Sequence, residues 1–386
     1  MASAIVGGLF APAAAADEYD ALNLVAGVNV SYESNLFARP DFLNPQSDTL
    51  TQAYVGLRFD KPYAQQRIQL DAMGNAYRYN EFSNLDFDGF DYRGAWLWHL
   101  SPRVNGTLSA ARTEVPTVFE NTIGTGRNVL TTETYVFDLD GQISGGWHGL
   151  LGYTNLTQSY EQVQATAIPS FTADISLIGL KYLFASGNWI NAVYRWINGE
   201  YKDTLPNFVT AIGSGFDGYD GEIGLNWAPT GTSVLSGRVT YLDRRDDTFP
   251  QRDFSGTAGE LNYRWFPTGK LRIWLGARRD ISAYQTNLSS YRVDDRVWIE
   301  PSWQVSTKVA IRLALYRGEI DYLGPVVVTT IPQRHDVYDG AQLGVRWTPT
   351  RGSMIGATVE QRRRTSNDPF SEYDNTVASV RVELTF

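Results

Sequence analysis

Trp265-Phe266-Pro267-Thr268-Gly269-Lys270 returns in altered form as Trp227-Ala228-Pro229-Thr230-Gly231-Thr232 and as Trp347-Thr348-Pro349-Thr350-Arg351-Gly352. Weaker copies are Trp98-His99-Leu100-Ser101-Pro102-Arg103 and Trp303-Gln304-Val305-Ser306-Thr307-Lys308. Pro presets φ and Gly accepts φ > 0, so each copy reads as a tight turn. Counting back in twos from Trp227 gives Leu225, Ile223, Gly221 and Tyr219, with Asn226, Gly224, Glu222 and Asp220 between them. After the Trp265 copy, Leu271, Ile273, Leu275 and Ala277 alternate with Arg272, Trp274, Gly276 and Arg278. A period of two with one apolar and one polar face means β-strand, and the unit is a hairpin with a short turn.

The step between copies decides the architecture. It is 38 residues from Trp227 to Trp265 and again to Trp303, then 44 to Trp347. Two strands of about 10 residues each leave room for one long connection opposite each short turn, the pattern of an outer-membrane barrel. A propeller blade has a similar period but divides it among four short strands, and the apolar runs here are too long and too few for that. Eight short turns with a free strand at each end predict a transmembrane antiparallel β-barrel of about 18 strands. It has short periplasmic turns and long extracellular loops, and an even count leaves both termini on the periplasmic side.

Composition agrees. Among 386 residues, 22 Tyr and 11 Trp supply interfacial girdles. Mean hydropathy is −0.28 because half of each strand is polar, and no apolar run reaches the 18 residues of a spanning helix. A chain without Cys has no disulfide framework and no thiolate metal site, and a net charge of −9 argues against nucleic acid as a partner. Residues 1–16, ending Pro12-Ala13-Ala14-Ala15-Ala16, read as the end of a secretory signal peptide whose start is truncated. Residues 17–386 read as one barrel domain with no preceding plug. The Asp174–Phe184 stretch places Ile175, Leu177, Ile178, Leu180 and Leu183 on both parities, for which a β-bulge is expected. Asp243-Arg244-Arg245-Asp246-Asp247 reads as a solvated, charged loop.

The inward set carries the function. It includes Arg58, Arg195, Arg238, Arg264, Arg272, Arg278, Arg312, Arg346 and Arg362 against Asp138, Asp140, Asp220, Glu222, Glu260, Asp294, Glu300 and Glu360. Such a lumen is wet rather than strongly ion-selective. The inward aromatics are Tyr54, Tyr77, Trp274, Trp298 and Tyr316. An aromatic plane covers the C–H face of a sugar, so Tyr54, Tyr77, Trp274, Trp298 and Tyr316 with Arg238, Arg272 and Arg312 are the candidate saccharide contacts. The competing reading has the same rings packing against an inward-folded loop. No catalytic, metal or cofactor site is expected: His99 and His148 lie beside periplasmic turns and His335 in an opposite loop, too far apart to converge.

Ala378, Val380, Val382, Leu384 and Phe386 form the outward face of the last strand. That ending resembles the signal by which barrel assembly machinery recognises its substrates, with Phe386 as its terminal aromatic. The segment Val25-Ala26-Gly27-Val28-Asn29-Val30-Ser31-Tyr32-Glu33-Ser34-Asn35-Leu36-Phe37-Ala38-Arg39 resembles the first strand and Asn-Leu-Phe loop of the outer-membrane barrels encoded with exosortase-type exopolysaccharide operons (EpsL-like). Gly179-Leu180-Lys181-Tyr182-Leu183-Phe184 and Tyr263-Arg264-Trp265 share the likeness, while Glu33 departs from the Asp expected there. The resemblance implies passive export of an extracellular polysaccharide across the bacterial outer membrane, in contact with outer-membrane lipid and with periplasmic and inner-membrane export components as partners. A general or substrate-selective diffusion porin is the alternative, and a structural surface barrel with a blocked lumen is a third reading.

Overall fold

In a computed structural model, residues 21–121, 125–162, 168–202, 213–326 and 330–386 are described; the signal-peptide reading of residues 1–16 lies outside them. The strands are β1 (Leu22–Glu33), β2 (Asp48–Tyr63), β3 (Gln66–Tyr79), β4 (Phe87–Ser101), β5 (Val104–Pro116) and β6 (Val129–Ser144). β7 (Trp147–Tyr160), β8 (Phe171–Leu183), β9 (Trp189–Tyr201), β10 (Gly215–Thr230), β11 (Ser233–Asp246) and β12 (Phe254–Trp265) follow. The last six are β13 (Leu271–Ala283), β14 (Tyr291–Gln304), β15 (Val309–Leu323), β16 (His335–Trp347), β17 (Ser353–Ser366) and β18 (Tyr373–Thr385). Each strand pairs antiparallel with its sequence neighbours, and β1 pairs with β18, closing an 18-stranded ring. Closure is what removes the sheet edges that lipid would leave unsatisfied.

The Trp-Pro-Thr-Gly copies make periplasmic turns, and the threonine does the local work. Thr268 Oγ1 accepts from the backbone N–H groups of Lys270 (3.3 Å) and Leu271 (3.0 Å), and Thr350 and Thr230 each lie 2.7 Å from the hydroxyl of the next strand's first serine. Such hydroxyl-to-backbone bonds favour a turn over continued strand. The first turn falls beyond Asp60-Lys61-Pro62, although a Pro so placed commonly opens a turn. There β2 continues to Tyr63, Pro62 pairs with Arg67, and the reversal falls at Ala64, whose φ is 52°.

Outward positions are apolar and exposed, and two aromatic girdles border them. Trp147, Trp227, Trp265, Trp303 and Trp347 form the periplasmic one. Tyr153, Trp196 and Tyr219 form part of the other, linked through the paired rows Tyr153↔Ser176, Trp196↔Ser176 and Tyr219↔Trp196. The first and last strands meet in the wall: Phe386 N–H donates to Leu24 O (2.9 Å) and Leu24 N–H to Phe386 O (3.0 Å).

The β8 stretch holds no bulge. Its ladders to β7 and β9 run without a register shift, so Phe171, Ala173, Ile175 and Leu177 face the lumen while Ile178 and Leu180 face lipid. The double parity records a strand that is apolar on both faces. The Asn35-Leu36-Phe37 motif proves to be packing. Asn35 is buried, donates to Arg39 O (2.7 Å) and Asp374 O (3.0 Å), and holds Leu36 and Phe37 in a small mouth core with Tyr79 and Leu85.

Candidate functional site

Period-two strands put charge on the inner wall in rows, and the structure pairs most of it. Arg195 meets Glu222 at 3.1 Å, Arg238 lies between Glu222 (3.8 Å) and Glu260 (3.5 Å), and Arg278 meets Asp280 at 2.6 Å. Further round, Arg312 meets Glu300 at 2.5 Å, Arg362 meets Glu360 at 3.0 Å, Arg381 meets Glu383 at 2.6 Å and Arg58 meets Asp71 at 3.0 Å. In a wet lumen such pairs contribute about 0–1 kcal/mol each. Their larger effect is a polar lining of alternating sign.

All eight candidate lumenal residues lie on the inner face, and five of them share one stretch of wall. Trp274, Trp298 and Tyr316 are neighbours on β13 to β15: Trp274 and Trp298 meet edge to face with centroids 6.3 Å apart, and Arg296 sits 4.2 Å from the Tyr316 ring centroid. Arg272 and Arg312 lie on the same wall, Arg272 paired in register with Ser302 and Ser302 with Arg312. Tyr54 and Tyr77 are on β2 and β3, far round the ring, and Arg238 is on β11. Most of these rings lie flat on the wall. A Cβ on Gly276 would fall 2.0 Å from the Trp298 ring, one on Gly27 2.3 Å from the Tyr54 hydroxyl, and one on Gly340 2.3 Å from Tyr316. Tyr54 and Tyr316 donate their hydroxyls to Glu383 and Glu360, both at 2.8 Å, and Tyr77 stacks on Phe87 with centroids 4.4 Å apart. An aromatic ring over a cross-strand glycine restores packing that the glycine lacks. Trp274 is the most open of the five, 40% exposed, with Nε1 donating to Asn262 (2.9 Å).

Among the described residues, three connections reach into the bore. Ile168, just before β8, packs with Tyr284 of the β13–β14 connection and with Ile320, Tyr322 and Tyr338, on strands seven and eight places round the ring. Glu120, between β5 and β6, accepts from Arg364 Nη2 (3.1 Å) on β17, and Phe119 packs on Phe37 (4.8 Å) in the mouth core. The third is the β13–β14 hairpin. Its ladder to β12 stops at Gly259↔Arg279, although β12 continues to pair with β11 up to Phe254 and β13 with β14 up to Ala283. Above that point the outer face of the hairpin, Ile281 and Val293, packs with Phe254 of β12, and Leu242 of β11 packs against them. Phe254 stacks on Tyr291, two strands away, at 5.0 Å. The hairpin tip is therefore tucked inside the ring as a lapped joint, and Gln285 Nε2 donates to the Tyr201 hydroxyl of β9 (2.9 Å).

Beneath these connections lies a cavity of about 270 Å³. Phe171, Ala173, Ile175, Ile197 and Phe216 make one wall; Arg195, Arg238, Arg244, Arg278 and Arg292 lie on the other with Asp220, Glu222 and Asp280. Sequence reasoning missed this site for two reasons. The apolar inner wall was hidden in the double parity of β8. Arg244 was assigned to a solvated loop, whereas β11 runs to Asp246, so alternation sends Arg244 inward and Asp243 and Arg245 outward as a 3.1 Å pair.

The histidines do not converge. His99 Nδ1 lies 2.8 Å from Gln65 O, His148 Nδ1 2.6 Å from Asp140 and His335 Nδ1 2.7 Å from Asp321. Among the described residues no group of three or more metal-ligating side chains comes together.

No protein-family model matches the chain, and no curated protein matches it. Solved structures do. The outer-membrane protein OpdK of Pseudomonas aeruginosa aligns over 95% of this chain and 99% of its own at 11% identity, with a TM-score of 0.52; a structure of that protein with vanillate aligns equally. A BenF-like porin of Pseudomonas fluorescens aligns over 95% and 98% at 10% identity, also with a TM-score of 0.52. At such identity the likeness is one of fold, the 18-stranded porin barrel, and the chain is a protein of the bacterial outer membrane.

Proposed function

We propose that this chain is a diffusion porin whose lumen selects among small solutes. The crossing of the bore by Ile168, which rests on the far wall at Tyr322 and Tyr338, is the observation that carries the reading. A bore obstructed from three sides passes small molecules around the obstruction and opposes a continuous polymer. The porin structures that share the fold point the same way. Transport is passive, since the chain has no nucleotide-binding motif.

Export of an extracellular polysaccharide, with periplasmic and inner-membrane components supplying the chain, is the second reading. The likeness over residues 25–39 favours it, yet Asn35, Leu36 and Phe37 are buried in the packing of the mouth core. Proteoliposome swelling separates the two. A porin admits arabinose and slows progressively through sucrose to raffinose, and dextran of several kilodaltons does not block its current. Swelling that is indifferent to solute size, with block by polymer alone, would overturn the porin reading.

A further inference from the structure

The Trp-turn copies carry charges that neither the turn nor the lumen uses. Three copies end in a cation five residues after the Trp, at Lys270, Lys308 and Arg103, and a fourth has Arg351 four residues after Trp347. The eight short turns between strands hold these four cations and no acidic side chain, although the whole chain carries −9. All four are exposed, and among the described residues none pairs with a carboxylate. Lys308 Nζ donates to Pro349 O of the neighbouring turn (2.7 Å), which pins the ammonium at the rim with donors to spare. Lys61, near the first turn, lies 5.1 Å from the Tyr63 ring centroid, and Asp60 of the same hairpin is taken by Arg67 at 2.6 Å. The extracellular end of the wall differs. There outward arginines sit with acids: Arg78 with Asp88 and Arg279 with Asp295, both at 2.6 Å, and Arg245 with Asp243 at 3.1 Å.

We propose that the periplasmic rim is a docking surface for anionic phospholipid headgroups of the periplasmic leaflet. This goes beyond the porin reading and does not depend on what the lumen carries. A girdle Trp sits at the boundary between hydrocarbon and headgroups. The chain reverses within a few residues of it, so a cation at the turn lies just past that boundary, at the level of the lipid phosphates. The stems of Lys and Arg cover apolar surface while their heads stay in the polar layer. Lys270, Lys308 and Arg351 occupy three successive turns, so they form an arc from β12 to β17. The turns from β6 to β11 carry no charge, and the rim therefore has a cationic and a neutral side. One cation at an anionic membrane surface strengthens association roughly fivefold. An acidic protein would meet the same charges. Turns this short keep the cations at the lipid surface instead of projecting them from it, and that favours lipid.

The chain has no Cys, so a single label can be placed at a single turn. Gly269 and Gly231 have open space where a Cβ would go, and Gly231 belongs to the copy that ends in Thr232 instead of a cation. The whole chain, carrying a dye at Gly269→Cys or at Gly231→Cys, is refolded into phosphatidylcholine vesicles. These hold a trace of phosphatidylglycerol, or of phosphatidylcholine, with a nitroxide near the top of the acyl chain. The anionic lipid should quench the dye at Gly269→Cys at least about threefold more than the neutral one, and at Gly231→Cys the two should agree within about 1.5-fold. Raising the salt from about 0.01 M to about 1 M shortens the screening length from about 30 Å to about 3 Å and should abolish the difference. Lys270→Gln with Lys308→Gln and Arg351→Gln should abolish it too, whereas Lys270→Arg with Lys308→Arg should keep it. If the triple variant does not fold, Lys270→Gln alone carries the test and should remove about half of the preference. Equal quenching by both lipids at Gly269→Cys overturns the proposal, as it would if the cations served an acidic protein. A preference that survives salt or the neutral variants, or that is as large at Gly231→Cys, overturns it as well. None of these outcomes bears on the porin reading, which solute swelling decides.

Discussion

Replacing Ile223 by Arg tests which face of the wall meets lipid. Ile223 lies on β10 midway between Trp227 of the periplasmic girdle and Tyr219 of the opposite one, four residues from each, and is 61% exposed. At about 3.3 Å per residue and a strand tilt of about 40°, each girdle is roughly 10 Å away along the membrane normal. That puts Ile223 at the middle of an apolar band about 25 Å tall, where a lipid-facing Arg costs about 2–4 kcal/mol. The cost is roughly 30-fold to nearly 1,000-fold in the folding equilibrium. Asn226, three residues on, faces the lumen between Ser236 and Trp189. Asn226→Arg adds charge to a wet surface and should change stability by no more than about 0.5 kcal/mol. Both variants are measured by reversible urea unfolding in phospholipid vesicles, followed by tryptophan fluorescence. If Ile223→Arg costs no more than Asn226→Arg, the faces are inverted or the band does not lie in lipid.

Deleting Phe386 removes both closing hydrogen bonds to Leu24 and the last outward ring, so the heat-modifiable folded form in outer membranes should fall; yield equal to the parent would remove its assembly role. Glu120→Gln weakens the hold of the β5–β6 connection on Arg364 and should raise single-channel conductance, and an unchanged current would show that this connection does not limit the bore. Trp298→Ala uncovers Gly276 and should cost about 1.5–2.5 kcal/mol, half the value for a fully buried Trp, read as a lower midpoint of thermal unfolding. If stability holds and transport of sugars falls instead, the ring belongs to a solute track rather than to the wall.

The barrel, its strand count and its membrane were legible in the chain because each rests on local rules. Alternation assigns Ile223 to lipid and Glu222 to the lumen, a Pro-Thr-Gly turn reverses the chain within a few residues, and Phe386 ends a strand whose partner is fixed by closure. The inward placement of Tyr54, Trp274, Trp298, Tyr316, Arg238, Arg272 and Arg312 followed from the same alternation. What those side chains do did not follow, because it depends on residues distant in sequence. Trp298 covers a glycine 22 residues earlier, and Arg364 holds a glutamate 244 positions away. The cavity needed the tertiary structure most of all. Its apolar wall comes from β8 to β10 and its cations from β9 to β14, while its roof includes a hairpin that leaves the ladder at Gly259↔Arg279. Period-two patterning says which face a residue takes only while its strand stays in the sheet. Where the β13–β14 hairpin folds under β12, contacts between distant segments decide which groups meet, and no local pattern encodes them.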